Sequence, residues 1–311
     1  MNILATILPV FFMIGLGILS KKKKIVTQEQ ALGMNSVVCN ILFPIMVFNA
    51  LFITSLEASA LLVVGYVFVL HIAAILVGTL TGKIVGGKFA HISKYLMCSV
   101  DGGNVCFPLY ATIVGASYIG NIVLLDIAGI FIIFLVIPLI VSAKESNASN
   151  IKALLKHIIC TPLVISLISG FLLNRVGLYQ LLQTTGWDVV YTNVASMATA
   201  PIVAMILFMI GYQFKIEKSS IKPLLLCVVC RMAIMGVGAA IFTQLFSHLV
   251  ADKTFFIAIL LFFMCPPALV LINQVSPLFK DEDDASFMSA FVSLYMIVTL
   301  AAFTGIVVFV A

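Results

Sequence analysis

The sequence predicts an all-α membrane protein: ten transmembrane helices, arranged as two inverted five-helix repeats. Three observations lead there. Hydrophobic residues make up 63% of the 311 and charged residues only 9%, whereas a soluble domain carries roughly 25% charged residues. Apolar runs of about 18–25 residues recur along the chain, the length a helix needs to cross a bilayer. They lack the strict alternation of barrel strands, so helices satisfy the backbone in lipid. Finally, proline landmarks repeat at one spacing in the two halves.

The expected spans are 3–20, 31–53, 58–82, 95–115, 119–142, 157–176, 189–212, 223–247, 254–272 and 285–309. The first is followed, not preceded, by basic residues (Lys21, Lys22, Lys23 and Lys24). That is the reverse of secretory-signal polarity, so the segment reads as a retained span. Fourteen of the 17 basic residues fall in alternate loops: Lys21–Lys24, then Lys83, Lys88 and Lys94, then Lys144, Lys152 and Lys156, then Lys215, Lys218 and Lys222, then Lys280. The positive-inside rule makes those loops cytoplasmic and puts both termini outside. The expected location is an inner or plasma membrane, crossed many times.

Spans two and seven read Phe43-Pro44-Ile45-Met46-Val47 and Ala200-Pro201-Ile202-Val203-Ala204, an offset of 157. Spans four and nine read Cys106-Phe107-Pro108-Leu109 and Cys265-Pro266-Pro267-Ala268, an offset of 159. The repeats are therefore 1–142 and 157–311, with a cytoplasmic linker at 143–156. Five spans per repeat make the halves antiparallel in the membrane, a common plan of secondary transporters. Span four also holds Asp101-Gly102-Gly103-Asn104 before Pro108, and span nine follows Pro266-Pro267 with Asn273-Gln274. Glycine pairs and prolines interrupt the helical ladder. Unwound backbone at membrane depth survives only against protein or a water-filled cavity, where it can bind substrate or ion.

These segments resemble the auxin efflux carrier family of permeases, which includes plant auxin exporters and bacterial malonate and malate carriers. The resemblance rests on Leu42-Phe43-Pro44 with Phe48-Asn49-Ala50-Leu51, on Pro108 with Gly115, on Pro266-Pro267-Ala268, and on Ala285-Ser286 opening span ten. Asp101 and Cys106 stand where the family typically has Asn and Gly. The resemblance implies a fold like that of the bile-acid/sodium symporters. Spans 1, 2, 6 and 7 would form a scaffold, through which family members tend to dimerise. Spans 3–5 and 8–10 would form a transport domain in which spans four and nine cross.

The expected function is secondary transport of a small organic anion, a mono- or dicarboxylate, coupled to protons, sodium or membrane potential. A transporter-like receptor without flux is the alternative. Intramembrane charges are costly and mark function by default. Asp101 and Asp126 are the candidates for the coupling ion, and a carboxylate at the crossing would repel an anion unless protonated or paired. Substrate would meet Asp101, Gly103, Asn104, Pro108, Pro266, Pro267, Asn273, Asn49 and Arg231, with Arg231 offsetting the substrate's charge. Arg231 and Asp101 lie at similar depth, so Asp101 either pairs with Arg231 or carries the coupling proton. His71 reads as a packing residue or a proton relay. No metal and no organic cofactor is expected, nor a nucleic-acid partner. The seven cysteines lie in or beside apolar segments and their count is odd, which argues against a disulfide framework. Asp281–Asp284 lacks the spacing of a calcium loop and reads as a solvated turn. No Walker, HExxH or GxSxG motif supports an ATP-driven pump or an intramembrane hydrolase.

Overall fold

A computed structural model describes residues 3–53, 58–144, 160–214 and 221–310. It is 88% helical, without strands among the described residues. The helices are α1 Ile3–Lys22, α2 Gln28–Ile53, α3 Ala58–Val85, α4 Gly102–Val114, α5 Gly120–Val141, α6 Pro162–Arg175, α7 Leu178–Thr185, α8 Asp188–Gln213, α9 Ile221–Leu245, α10 Lys253–Phe263, α11 Val270–Val275 and α12 Glu282–Phe309. Seven of them (α1, α2, α3, α5, α8, α9 and α12) are long and apolar enough to cross a membrane, and α6 with α7 makes an eighth candidate bent by 64°. The chain is a multi-pass membrane protein. Lys152, Lys156, Lys215, Lys218 and most of the expected linker lie outside the described residues.

The local causes are chemical. Thr27 opens α2 with a reciprocal capping box to Gln30, which satisfies two otherwise orphaned donors. Pro44 cannot donate, and the turn ahead of it, Val38–Leu42, loosens to π spacing. Gly177 adopts a left-handed φ of 79° and separates α6 from α7. Expected span six thus ends where α6 does, and α7 follows it as a separate bent piece. Pro201 likewise interrupts α8.

The helices pack in two groups. α1 lies along the second half of α8, and α6 along the second half of α2. Glycines bring the backbones together: a Cβ on Gly17 would overlap the Phe208 carbonyl, one on Gly211 the Ile14 carbonyl, and one on Gly170 would sit 2.8 Å from the Phe48 carbonyl. Small residues at such contacts are how helices associate in lipid. In the second group α3 packs on α5 and α9, while α10 packs on α5, α9 and α12. Exposed apolar side chains line the outer faces, among them Leu61, Leu76, Val194 and Met197.

The turn after α3 is tied to the start of α12. Phe89 stacks on Phe287 with ring centroids 4.1 Å apart. Lys88 Nζ lies 2.8 Å from Asp281 and 2.5 Å from Asp283, and His91 Nε2 lies 3.0 Å from the buried Asp284. The expected solvated turn at 281–284 is thus part of a packed contact. Asp281 also caps α12 by accepting from the Asp283 N–H.

Candidate functional site at two facing helix breaks

Both expected interruptions are present. The first follows a 3-10 turn at Lys94–Met97. The chain then runs extended at Cys98, turns at Ser99 with a positive φ of 58°, and re-enters helix at Gly102. A non-glycine residue at positive φ is uncommon. Ser99 is held there by its contacts: its carbonyl accepts from Arg231, and its Oγ accepts from the Ala268 N–H at 3.4 Å. The second break separates α10, which ends at Phe263, from α11, which begins at Val270. The two breaks face each other, and the Asp101 N–H donates to the Pro266 carbonyl at 2.8 Å.

One anion and one cation satisfy most of the freed backbone. The Asp101 carboxylate accepts from the Asn104 N–H at 2.9 Å and from the Leu269 N–H at 3.1 Å. It therefore caps the N-terminal ends of both α4 and α11, where the helix dipole favours negative charge. Arg231, fully buried on α9, does the converse. Its Nη1 donates to the carbonyls of Leu96 at 2.7 Å and Cys98 at 3.2 Å, and its Nη2 to those of Ser99 at 2.7 Å and Cys265 at 3.0 Å. The guanidinium lies over the Tyr295 ring, 5.1 Å from its centroid, a favourable cation–π contact. Thr299 closes the end of α10 by donating to the Met264 carbonyl at 2.7 Å.

The expected Asp101–Arg231 pair is corrected by this geometry. Ion pairs among the described residues join Lys88 and His91 to the start of α12, and none joins Asp101 to Arg231. Each charge serves a different pole of the helix ends: Asp101 takes N–H groups and Arg231 takes carbonyls.

A cavity of about 290 Å³ opens on the N–H side of the breaks. Of the expected site residues, Asp101, Gly103, Asn104 and Asp126 line it. Cys39 and Asn40 of α2 and Thr161 ahead of α6 also reach it, so both helix groups supply walls. Sequence reasoning missed these three, along with Gly129, because none belongs to a recognisable local motif, whereas Gly102 is part of the expected break in span four. Gly102 has a direct role, since a Cβ there would overlap the Asp126 carboxyl group. Asp126 is partly open, whereas Asp101 is 3% exposed.

The remaining expected residues do not line this cavity. Arg231 is engaged by four carbonyls instead of offsetting a substrate's charge. Pro108 stands buried in the first turn of regular helix in α4, and Pro266 and Pro267 shape the second break from within. Asn49 accepts from the Tyr191 hydroxyl at 2.9 Å, among the aromatic rings between α2 and α8. Asn273 is exposed on α11. No lysine, arginine or histidine lines the cavity among the described residues. Its volume sits at the small end of ligand sites. No group of three or more metal-ligating side chains occurs among the described residues.

No family model matches the chain, and no curated protein compared with it is similar.

Proposed function

We propose that the chain is a secondary transporter that moves a small organic solute through the cavity at the two breaks, together with protons. The observation that carries this is the placement of two carboxylates, Asp101 and Asp126, on a small cavity at two helix N-terminal ends, whose N–H groups Asp101 caps, with no basic side chain in its wall among the described residues. The positive ends of the helix dipoles suit a carboxylate solute. The acidic wall opposes it unless a proton enters too, so the organic-anion reading becomes proton symport. Asp126 is the coupling carboxylate, because Asp101 is committed to two backbone donors. The acidic wall also favours a second reading, in which a cationic solute enters alone.

The finer architecture belongs to the same proposal. The pairings α1 with α8 and α2 with α6 exchange with each other if each span is replaced by its partner five spans away, as do span three on span five and span eight on span ten. That pattern supports two inverted repeats with crossing fourth and ninth spans. It also supports a scaffold of spans 1, 2, 6 and 7 beside a transport domain of spans 3–5 and 8–10. The lysine distribution supports both termini outside, and dimerisation through the scaffold stays an expectation of the family resemblance.

Uptake of radiolabelled acetate, malonate and malate into proteoliposomes tests the reading under imposed proton and sodium gradients. Accumulation driven by an inward proton gradient is expected. Uptake driven only by membrane potential and confined to an organic cation such as choline favours the second reading. Saturable binding without flux favours a receptor.

A further inference from the structure

We propose that His71 completes the Asp126 site: its imidazole donates a hydrogen bond to the Asp126 carboxylate across the bare Cα of Gly129, directly or through one water. The inference rests on the reading of Asp126 as the coupling carboxylate. His71 lies on α3 and is fully buried, and neither ring nitrogen has a hydrogen-bond partner among the described residues. An apolar side chain would pack there without leaving two polar atoms unmet, so packing alone does not account for an imidazole. α3 packs on α5, and Gly129 stands where the two polar groups converge. A Cβ on Gly129 would lie 3.0 Å from Asp126 Oδ1 and 3.9 Å from His71 Nε2, the two atoms it would meet within 4 Å beyond its own stretch of helix among the described residues. Those distances put the two atoms at most about 7 Å apart, a gap that one bridging water and a modest side-chain rotation close. Gly129 also lines the cavity, so solvent and solute reach the same point.

The other charged or titratable groups facing α3 are already engaged or are not anionic. Arg231 on α9 holds four carbonyls. His91 faces Asp284, and Lys94 lies over the Tyr95 ring. Tyr95 keeps an unpartnered hydroxyl. Asp126 is the carboxylate left for the imidazole. A donor aimed at it stabilises the charged carboxylate and is released when the proton arrives, which couples proton uptake to the contact between α3 and α5.

Nitrogen-15 NMR of the full-length protein in lipid, labelled at its four histidines, tests this without a known substrate. The His71 ring signals are identified by their loss in His71→Gln. Asp126→Asn should shift them, and so should Gly129→Ala, which places a methyl group in the gap. Unchanged His71 signals in folded Asp126→Asn protein, or in Gly129→Ala should the first variant fail to fold, would overturn the pairing. If malonate and malate uptake ignores the proton gradient while the His71 signals still respond to Asp126→Asn, the transport reading fails and the pairing stands.

Discussion

The two faces of the crossing carry opposite problems and opposite solutions. On one face four backbone carbonyls point inward and a single arginine meets them all. That face is sealed, with Arg231 fully buried. On the other face two N–H groups point inward and Asp101 meets them, but that face opens to a cavity. The sealed face holds the breaks together; the open face presents the Asp126 carboxyl group to the cavity. Charge inside this membrane protein is therefore placed first for backbone dipoles, and what remains is available to a ligand.

Substitutions can break this comparison, beginning with the largest effect. Arg231→Met orphans four buried carbonyls and should cost on the order of 3–5 kcal/mol, read as loss of monodisperse protein on size exclusion. Arg231→Lys should rescue little, because an ammonium lacks the planar fork that reaches both breaks. Asp101→Asn keeps one acceptor oxygen for two donors and should cost about 1–3 kcal/mol in a thermal melt. Adding Arg231→Gln should deepen the loss; restoration by the second change would revive a direct pair. Asp126→Asn should change stability by less than about 0.5–1 kcal/mol yet remove the proton dependence of uptake, which separates the open face from the sealed one. The smallest effect is expected outside the crossing. Lys88 beside Asp281 holds that carboxyl below the usual carboxylate range. Its contribution is thus complete at neutral pH and disappears as pH falls below about 4. Asp281→Asn should lower the melting temperature slightly at pH 7, and the difference should shrink steadily as pH falls below about 4.

The breaks were legible because glycine and proline encode them locally: Gly102-Gly103 and Pro266-Pro267 fall where the helices stop. Their partners were not. Similar depth suggested that Arg231 meets Asp101, but depth fixes only one coordinate, and a carbonyl can come from any residue. Leu96, Cys98, Ser99 and Cys265 carry no side-chain signature of their role. Asn49 shows the reverse failure. As a polar residue in an apolar span it read as a candidate liner of the substrate path, yet the Tyr191 hydroxyl claims it, across more than a hundred residues of sequence. The end of α6 was legible, since the expected span stops at 176, and Gly177 with its left-handed backbone is the local cause.

Gly17 and Gly211 carry a mechanical consequence. They set α1 and α8 backbone against backbone, at the Phe208 and Ile14 carbonyls. Steric repulsion rises steeply at such range, so sliding one helix past the other would drive carbonyl into Cα within a fraction of a turn. The joint behaves as a weld. If this protein exposes its cavity to alternate sides, the shear plane must lie elsewhere. The boundary where Cys39 and Asn40 line the cavity with Asn104 has no such backbone contact from glycine, and Cys39 Sγ lies 3.7 Å from Asn104 Oδ1 there, a weak hydrogen bond to place across a moving seam.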